Sequence, residues 1–179
     1  MDKSVAVSVV WFKRDLRISD NQALSTAISS KLPVICLFNL EPDRIKREDT
    51  DGIHIEWELD CLKQLRKSLE SIGGKLLFHY GSVLDKLNAI HHKYKIKNLF
   101  SHEETGLQWS WDRDKLVATW CQKNKIEFIE YPSNGVVRRL ITRDNWKRLR
   151  DSRVNSEMVE TPKKIISPVD LISSEIPEL

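Results

Sequence analysis

The chain has 179 residues and a formal net charge of +3, and its 40% hydrophobic and 31% charged residues form an ordinary globular mixture that excludes a disordered, collagen-like or disulfide-stapled protein. Its longest apolar runs have the length of strands, far short of the roughly 20 residues that cross a membrane, and we expect neither a membrane partner nor a signal peptide. Three widely spaced cysteines, Cys36, Cys61 and Cys121, form no Cys-x-x-Cys pair, which favours a reduced, cytoplasmic interior and no metal site.

Five short apolar runs predict five β-strands. They cover residues 5–11, 33–40, 75–80, 97–102 and 126–131. Val, Ile, Leu and Phe dominate these runs, mostly without the alternation of a half-buried strand. Near-continuous apolar runs are typical of strands that are buried on both faces of a parallel sheet.

Helical patterns occupy the gaps between these runs and follow the last of them. The first predicted helix covers 21–29 with Asp20 as its cap, and the second covers 55–72 and is stopped by Gly73-Gly74. The third covers 82–94 and opens with a Ser82-x-x-Asp85 capping box. A fourth begins at about 105 and carries Leu116, Val117, Trp120 and Cys121 on one stripe, and a fifth covers 142–153 with Thr142 as its cap. This alternation predicts right-handed crossovers and a doubly wound parallel sheet. Such sheets bind ligands beyond the carboxyl ends of their strands.

Common nucleotide-binding and hydrolase motifs are missing from the sequence. None of the six glycines stands in Gly-x-Gly-x-x-Gly or Gly-x-x-x-x-Gly-Lys spacing, and there is no Gly-x-Ser-x-Gly. An ordinary dinucleotide fingerprint, a P-loop and a serine-hydrolase elbow are therefore not expected.

Charged residues follow the first and fourth strands. Arg14 and Arg17 after the first strand either bind an anionic ligand or pair with Asp15 and Asp20 to fix the loop. After the fourth strand, Glu103 and Glu104 either cap the next helix or accept hydrogen bonds from the N–H groups of a heterocycle. The tryptophans that come next, Trp109 and Trp111, either pack against the sheet or flank a flat ligand.

The last part of the chain differs in composition from the rest. Segment 138–153 carries seven cations and two carboxylates, which indicates a solvated face, a phosphate contact or a surface toward another domain. Three prolines then interrupt a polar stretch without periodicity, which predicts a linker over residues 154–179. We expect another domain to follow this linker.

Three motifs of the chain resemble the DNA photolyase and cryptochrome family. They are Trp11-Phe12-Lys13-Arg14-Asp15-Leu16-Arg17 with Asp20-Asn21-Gln22-Ala23-Leu24, His102-Glu103-Glu104-Thr105-Gly106 with Arg113-Asp114, and Asn134-Gly135-Val136-Val137-Arg138-Arg139-Leu140 with Arg143-Asp144 and Trp146. The likeness covers residues 5–153 and is nearer to the bacterial photolyase-like branch than to the animal cryptochromes.

The resemblance implies a Rossmann-like α/β domain over residues 1–153, with a five-stranded parallel sheet in the order 3-2-1-4-5 and helices on both faces. In this family the domain holds an antenna chromophore, which is a deazaflavin, FMN, a lumazine or a methenyl-folate. The matching positions expected to line that site are Lys13, Arg14, Asp15, Phe38, Asn39, Glu103, Glu104 and Thr105. Residues 154–179 are expected to lead to an absent helical domain that binds FAD, where light drives the repair of pyrimidine dimers in DNA.

Two other functions remain open at this point: a cryptochrome-like protein for blue-light signalling, and a stand-alone nucleotide-binding domain. The chain alone is expected to be inactive on DNA, because the cofactor carries the electron chemistry of repair. Without the neighbouring domain, apolar residues such as Val154 and Met158 lose their cover. We therefore expect a mobile tail from about residue 154, or self-association through it.

Overall fold

The computed structural model describes residues 5–178 and contains one five-stranded sheet. Its strands are β1 (Ala6–Phe12), β2 (Val34–Leu40), β3 (Leu76–Tyr80), β4 (Lys95–His102) and β5 (Glu127–Tyr131). All neighbours pair in parallel, in the order β3-β2-β1-β4-β5. The predicted strands, their direction and the strand order are therefore confirmed, with β1 in the centre.

Helices cover both faces of this sheet. They are α1 (Gln22–Ser29), α2 (Pro42–Ile45), α3 (Gly52–Ser71), α4 (Val83–Lys93), α5 (Gln108–Lys123) and α6 (Trp146–Val154). Along β1, Val10 and Phe12 pack into the core cluster beneath α1 and α3, whereas Val9 and Trp11 pack into the cluster beneath α4 and α5. Because side chains alternate along a strand, the central strand supplies both cores, as its apolar run predicts.

Four predicted helix starts are wrong, and one of them is that of α3, which begins at Gly52, three residues before the predicted pattern. Asn21, not Asp20, caps α1, since its side chain accepts a 2.9 Å hydrogen bond from the Leu24 N–H. Helices α5 and α6 begin three and four residues later than predicted, at Gln108 and Trp146, and neither cap residue makes a side-chain hydrogen bond. On α5, Leu116 is exposed rather than part of the buried stripe.

The end of α3 and the start of α4 agree with their predicted patterns. Ser82 caps α4 by accepting from the Asp85 N–H, and Gly73 follows α3 in the left-handed conformation with φ +84°. Short α2 has no counterpart among the predicted helices. No helix within residues 5–178 has the length and apolar character that a membrane crossing needs.

The tail after α6 has no helix or strand up to residue 178, but part of it packs on the α/β domain. Ile165 donates its N–H to the Ile72 carbonyl, and Ile166 accepts from the Val34 N–H. Both Ile165 and Leu171 are buried, whereas Met158 is 79% exposed. The expectation of a tail without cover is thus wrong for residues 165–171, which lie along the amino-terminal edge of the sheet.

Candidate functional site

A buried ion cluster lies where the carboxyl ends of β1, β2 and β4 meet the start of α5. We define it as Lys13, Glu41, Glu104, Arg113 and Asp114. The Lys13 ammonium lies 2.7 Å from Asp114, and Arg113 lies 2.9 Å from Asp114 and 3.0 Å from Glu41. Glu104 is 3.6 Å from the Arg113 guanidinium. The cluster joins the loops after three strands into one rigid base.

Opposing influences act on the ionisation of this cluster. Burial raises the pKa of Glu41 even though the neighbouring Arg113 charge counteracts it. Burial also opposes the charge on Arg113, but Asp114 and Glu41 raise the pKa of the guanidinium on balance. Arg113 therefore stays charged and keeps its carboxylate partners in place.

Asp15 pairs with a histidine and not, as one interpretation expected, with an arginine. Its carboxylate lies 2.6 Å from Nδ1 of His102 and accepts from the Lys13 N–H at 3.1 Å and from the Asn21 amide at 3.2 Å. Burial pushes the pKa of Asp15 up, but the hydrogen bond and charge of His102, together with the backbone N–H, bring it below its ordinary value. Arg17 instead binds Asp20, at 3.4 Å.

This lowered pKa predicts an acid-sensitive contribution to stability. Because the pKa of Asp15 is lower in the folded chain than the value of about 3.9 for a free aspartate, its contribution is complete above that value. It is lost as pH falls through the folded pKa. We expect Asp15→Asn to reduce the free energy of unfolding by about 1.5–3 kcal/mol at pH 7.

Urea unfolding of wild type and Asp15→Asn between pH 7 and pH 3 measures this contribution. The difference between the two proteins should shrink as the pH falls below about 4. Asp43→Asn removes an exposed carboxylate and is the matched control. A difference that stays constant down to pH 3 would show that Asp15 has no lowered pKa.

Neither carboxylate after β4 caps α5, because the helix begins only at Gln108. Glu103 binds Arg153 at 3.0 Å and Arg138 at 3.4 Å. Glu104 is buried and accepts from the Gly106 N–H at 2.8 Å. The capping interpretation of these two residues is therefore wrong, and both belong to ion pairs at the carboxyl edge.

The eight residues predicted to line a ligand site divide between two small cavities. A cleft of about 180 Å³, which we call the edge cleft, is lined by Lys13, Arg14, Asp15, Glu103, Glu104 and Thr105 together with His102 and Asn134. A cavity of about 30 Å³, the floor cavity, is lined by Phe38 and Asn39 and again by Lys13, Arg14 and Glu104. The structure brings the eight residues to the same edge of the sheet, but not into one cleft.

Asn39 and Phe38 differ in what they offer to a ligand. Phe38 is buried and stacks on Phe78 with ring centroids 6.3 Å apart, so it belongs to the core. The Asn39 amide donates to the Gly81 carbonyl at 2.8 Å, while its buried Oδ1 has no hydrogen-bond partner among the described residues. An unpartnered buried acceptor is costly unless a water or a ligand supplies a donor.

A larger cleft opens beside these two cavities. This main cleft has a volume of about 730 Å³ and lies between the β1 loop, the segment after α2, the first half of α3 and the start of α5. Its lining includes Arg14, Leu16, Arg44, Arg47, His54, Trp57, Glu58, Cys61, Leu107 and Trp109. Its size falls within the range of about 300–1,000 Å³ that small-molecule sites occupy.

Most cations of the main cleft are already bound to carboxylates. Arg44 makes two hydrogen bonds to Glu58, of 2.9 and 2.7 Å, and Arg47 makes two to Asp49, of 2.8 and 2.9 Å. Arg14 differs, since its side chain is 69% exposed and its nearest carboxylate, Glu104, is 3.6 Å away. It is the cation best placed to bind an anionic group in the cleft.

Two tryptophans form aromatic walls of the main cleft. Trp57 on α3 is 73% exposed, although large aromatic rings are seldom left in water. Trp109 on α5 is half-buried and lies against the Arg113 guanidinium, 5.1 Å from ring centroid to carbon. A flat ligand placed between such rings gains stacking on its faces.

The basic segment 138–153 contains both paired and free cations. Three of its cations are paired with carboxylates among residues 5–178. Arg138 binds both Glu130 and Glu103. Arg150 binds Asp151, and Arg153 binds Glu103. Arg139 and Arg138 also lie over the Trp111 ring, at 5.9 and 5.2 Å. The segment is thus partly an ion-pair surface and partly solvated, so neither interpretation alone describes it.

Among the residues that line the main cleft, the sequence patterns pointed only to Arg14, Arg17 and Trp109 as candidate ligand contacts. Trp57, Arg44 and Glu58 lie in or after the loop that follows β2, for which no site residue beyond the end of the strand was predicted. The available signal was that Ile53 and Trp57 stand outside the buried stripe of α3 at adjacent turns. Two large apolar residues off the buried stripe indicate a second contact surface on the helix.

Comparisons with known proteins agree with this architecture. A family model described as DNA photolyase matches residues 8–152. The chain is 33% identical over 110 residues to cryptochrome DASH, chloroplastic/mitochondrial, from Solanum lycopersicum, covering 58% of the chain and 19% of that protein. It is 26% identical over 108 residues to a deoxyribodipyrimidine photo-lyase from Synechococcus, covering 60% and 22%. The chain thus spans about a fifth of the length of these two relatives.

Solved structures of the same fold cover nearly the whole chain. The cryptochrome of Synechocystis sp. PCC6803 superposes with a TM-score of 0.82 and 18% identity over 99% of this chain and 40% of that one. A bacterial class III photolyase from Agrobacterium tumefaciens gives a TM-score of 0.82 and 22% identity over 98% and 38%. At these identities the likeness establishes the fold.

Proposed function

The chain belongs to the DNA photolyase family, and from that premise we propose that its α/β domain binds a light-absorbing antenna chromophore in the main cleft. The observation that carries this proposal is the cleft itself, with two aromatic walls, Trp57 and Trp109, and the loosely held cation of Arg14. The site lies at the carboxyl edge, where open α/β sheets bind ligands. When bound, the chromophore would absorb light and pass the excitation energy on.

The residues present fit a flat heteroaromatic group with an anionic tail. The main cleft has room for a ring system of two or three fused rings, whereas the edge cleft and the floor cavity do not. Beside it, the unpartnered Oδ1 of Asn39 and the Glu104 carboxylate line the floor cavity as hydrogen-bond acceptors. Of the family's antennae, FMN and a methenyl-folate carry the anionic tail that Arg14 would bind, and we propose these over a deazaflavin or a lumazine.

Trp57→Ala is expected to weaken binding of FMN or of 5,10-methenyltetrahydrofolate about tenfold, because the ligand loses one stacking wall. Equilibrium titration followed by ligand absorbance and fluorescence measures the affinity. Trp146→Ala, which removes a partly exposed tryptophan from α6, is the matched control and should leave the affinity unchanged. Equal losses in the two variants, or none in Trp57→Ala, would place the ligand elsewhere.

For the whole protein we propose a light-driven flavoprotein with FAD in a further, helical domain. The support is that the relatives extend well beyond the matched region and include both a photo-lyase and cryptochromes. In that protein residues 154–179 would connect the two domains, and the free cations of segment 138–153 would face the FAD domain or damaged DNA. The first candidate activity is repair of pyrimidine dimers, in the cytoplasm.

Blue-light signalling is the second candidate, because the chain is 33% identical to a cryptochrome DASH and 26% identical to the photo-lyase, so it is at least as similar to cryptochromes. Illumination of dimer-containing DNA with the full-length protein separates the two. Loss of dimers supports repair, and their persistence under reducing conditions supports signalling. The 179-residue chain by itself, even with added FAD, should leave the dimers intact.

A further inference from the structure

Arg113 belongs to the buried ion cluster and lines the floor cavity rather than the main cleft, so it has no place in the proposed recognition of the ligand. It stands one turn after Trp109 on α5, and its guanidinium is sandwiched between two rings. The guanidinium carbon lies 4.7 Å from the centre of the Trp11 ring and 5.1 Å from that of Trp109. Trp11 is buried in the sheet, so the guanidinium lies between a fixed ring and the Trp109 ring and restricts the position of Trp109.

Carboxylates from three parts of the chain hold this guanidinium. Glu41 after β2 lies at 3.0 Å, Asp114 on α5 at 2.9 Å and Glu104 after β4 at 3.6 Å. A planar guanidinium bound at several points has little freedom to rotate. Trp109 therefore meets a fixed charged plane on one side, rather than a mobile side chain.

Trp109 separates two clefts. On one side it lines the main cleft of about 730 Å³, and on the other it lines a cleft of about 490 Å³, which we call the side cleft. The side cleft lies between α2, the start of α4 and α5, and its charged lining residues are Glu41, Asp43, Asp112 and Arg113, so three carboxylates face one cation. An anionic ligand would be repelled from this acidic space, so a fixed partition favours its retention in the main cleft.

We propose that Arg113 is a positioning residue that holds Trp109 as the partition between the main cleft and the side cleft. One consequence of this inference, that the partition limits the size of the ligand in the main cleft, rests on the proposed function. The geometry of the partition itself exists without a ligand. Lysine keeps the charge but lacks the planar surface that stacks on two rings, so Arg113→Lys separates stacking from charge.

Fluorine NMR of ligand-free chain labelled with 5-fluorotryptophan tests the partition. The Trp109 resonance is assigned by its loss in Trp109→Phe. In Arg113→Lys we expect this resonance to shift and broaden, while those of Trp57 and Trp120 stay in place. A Trp109 resonance identical to that of wild type would overturn the proposal. If Arg113→Lys fails to fold, Glu41→Gln takes its place in the test. This variant retains Arg113 but removes one of its charged partners, so we expect a small shift of the Trp109 resonance.

Titration with FMN tests the consequence. Arg113→Lys should bind FMN about tenfold more weakly than wild type, and adding Trp109→Phe to it should cost little more, since both changes remove the same wall. Unchanged FMN affinity in Arg113→Lys would overturn the link between the partition and the ligand. Wild-type chain that binds neither FMN nor 5,10-methenyltetrahydrofolate would contradict the proposed function instead, and the NMR of the free chain would still decide the role of Arg113.

Discussion

Asp114→Ala is expected to destabilise the chain by about 3–5 kcal/mol, because it removes one partner of a buried ion pair. The side chains of Lys13 and Asp114 are each only 6% exposed, and their charged atoms are 2.7 Å apart. Without Asp114, the Lys13 ammonium keeps only Glu130, at 3.7 Å, among the carboxylates of the described residues. Arg113 loses a partner at the same time.

Chemical denaturation of wild type, Asp114→Ala and Asp112→Ala measures this effect. Asp112 lies two residues earlier on α5, where it is exposed and pairs with Lys115, and its loss should cost less than about 1 kcal/mol. The contrast between two aspartates of one helix isolates the buried cluster from any general effect on α5. Equal losses at the two positions would show that the Lys13–Asp114 pair contributes no more than a surface pair.

Ile165→Ala is expected to cost about 2–4 kcal/mol, as for other buried aliphatic side chains. Ile165 is 3% exposed and packs into the core cluster beneath α1 and α3, although it lies in a tail without helix or strand. Its backbone N–H also binds the Ile72 carbonyl. The tail therefore contributes to the stability of the α/β domain, in contrast to the expectation of a mobile linker.

Ile166→Ala is the matched control for this prediction. Ile166 is the next residue along the chain but is 65% exposed, so its truncation should change the free energy of unfolding by less than about 0.5 kcal/mol. The two variants are compared by urea denaturation under the same conditions. If both are as stable as wild type, residues 165–171 do not pack on the domain in solution.

The strands and most helices were predictable because their signals are local, whereas the strand order came from the resemblance to the photolyase family. The five buried runs mark the strands. Gly73-Gly74 marks the end of α3, and Ser82 marks the start of α4 by its side-chain cap. The starts of α5 and α6 were misplaced because Leu107 and Asn145 cap them without a side-chain hydrogen bond. Leu107 is not a capping residue type, so it leaves the start of α5 unmarked, whereas Asn145 is such a type but follows Thr142, which was assigned as the cap instead.

The candidate site was only partly predictable because it depends on tertiary placement. Arg14 and Glu104 were found because they adjoin the ends of β1 and β4. Trp57 was not, since its place outside the buried stripe of α3 indicates a second contact surface but does not show that this surface faces a cleft. The packing of Ile165 was likewise hidden, because backbone hydrogen bonds and isolated apolar contacts hold the tail, and these leave no periodic pattern.

Hydrogen exchange with and without bound chromophore tests the location of the antenna site most directly. The chain is saturated with FMN and, separately, with 5,10-methenyltetrahydrofolate, and the exchange of its backbone amides is followed by mass spectrometry. We expect slower exchange in residues 44–58 and 106–110, which form the walls of the main cleft. Protection confined to residues 102–105 and 133–134 of the edge cleft, or no protection with either ligand, would contradict it.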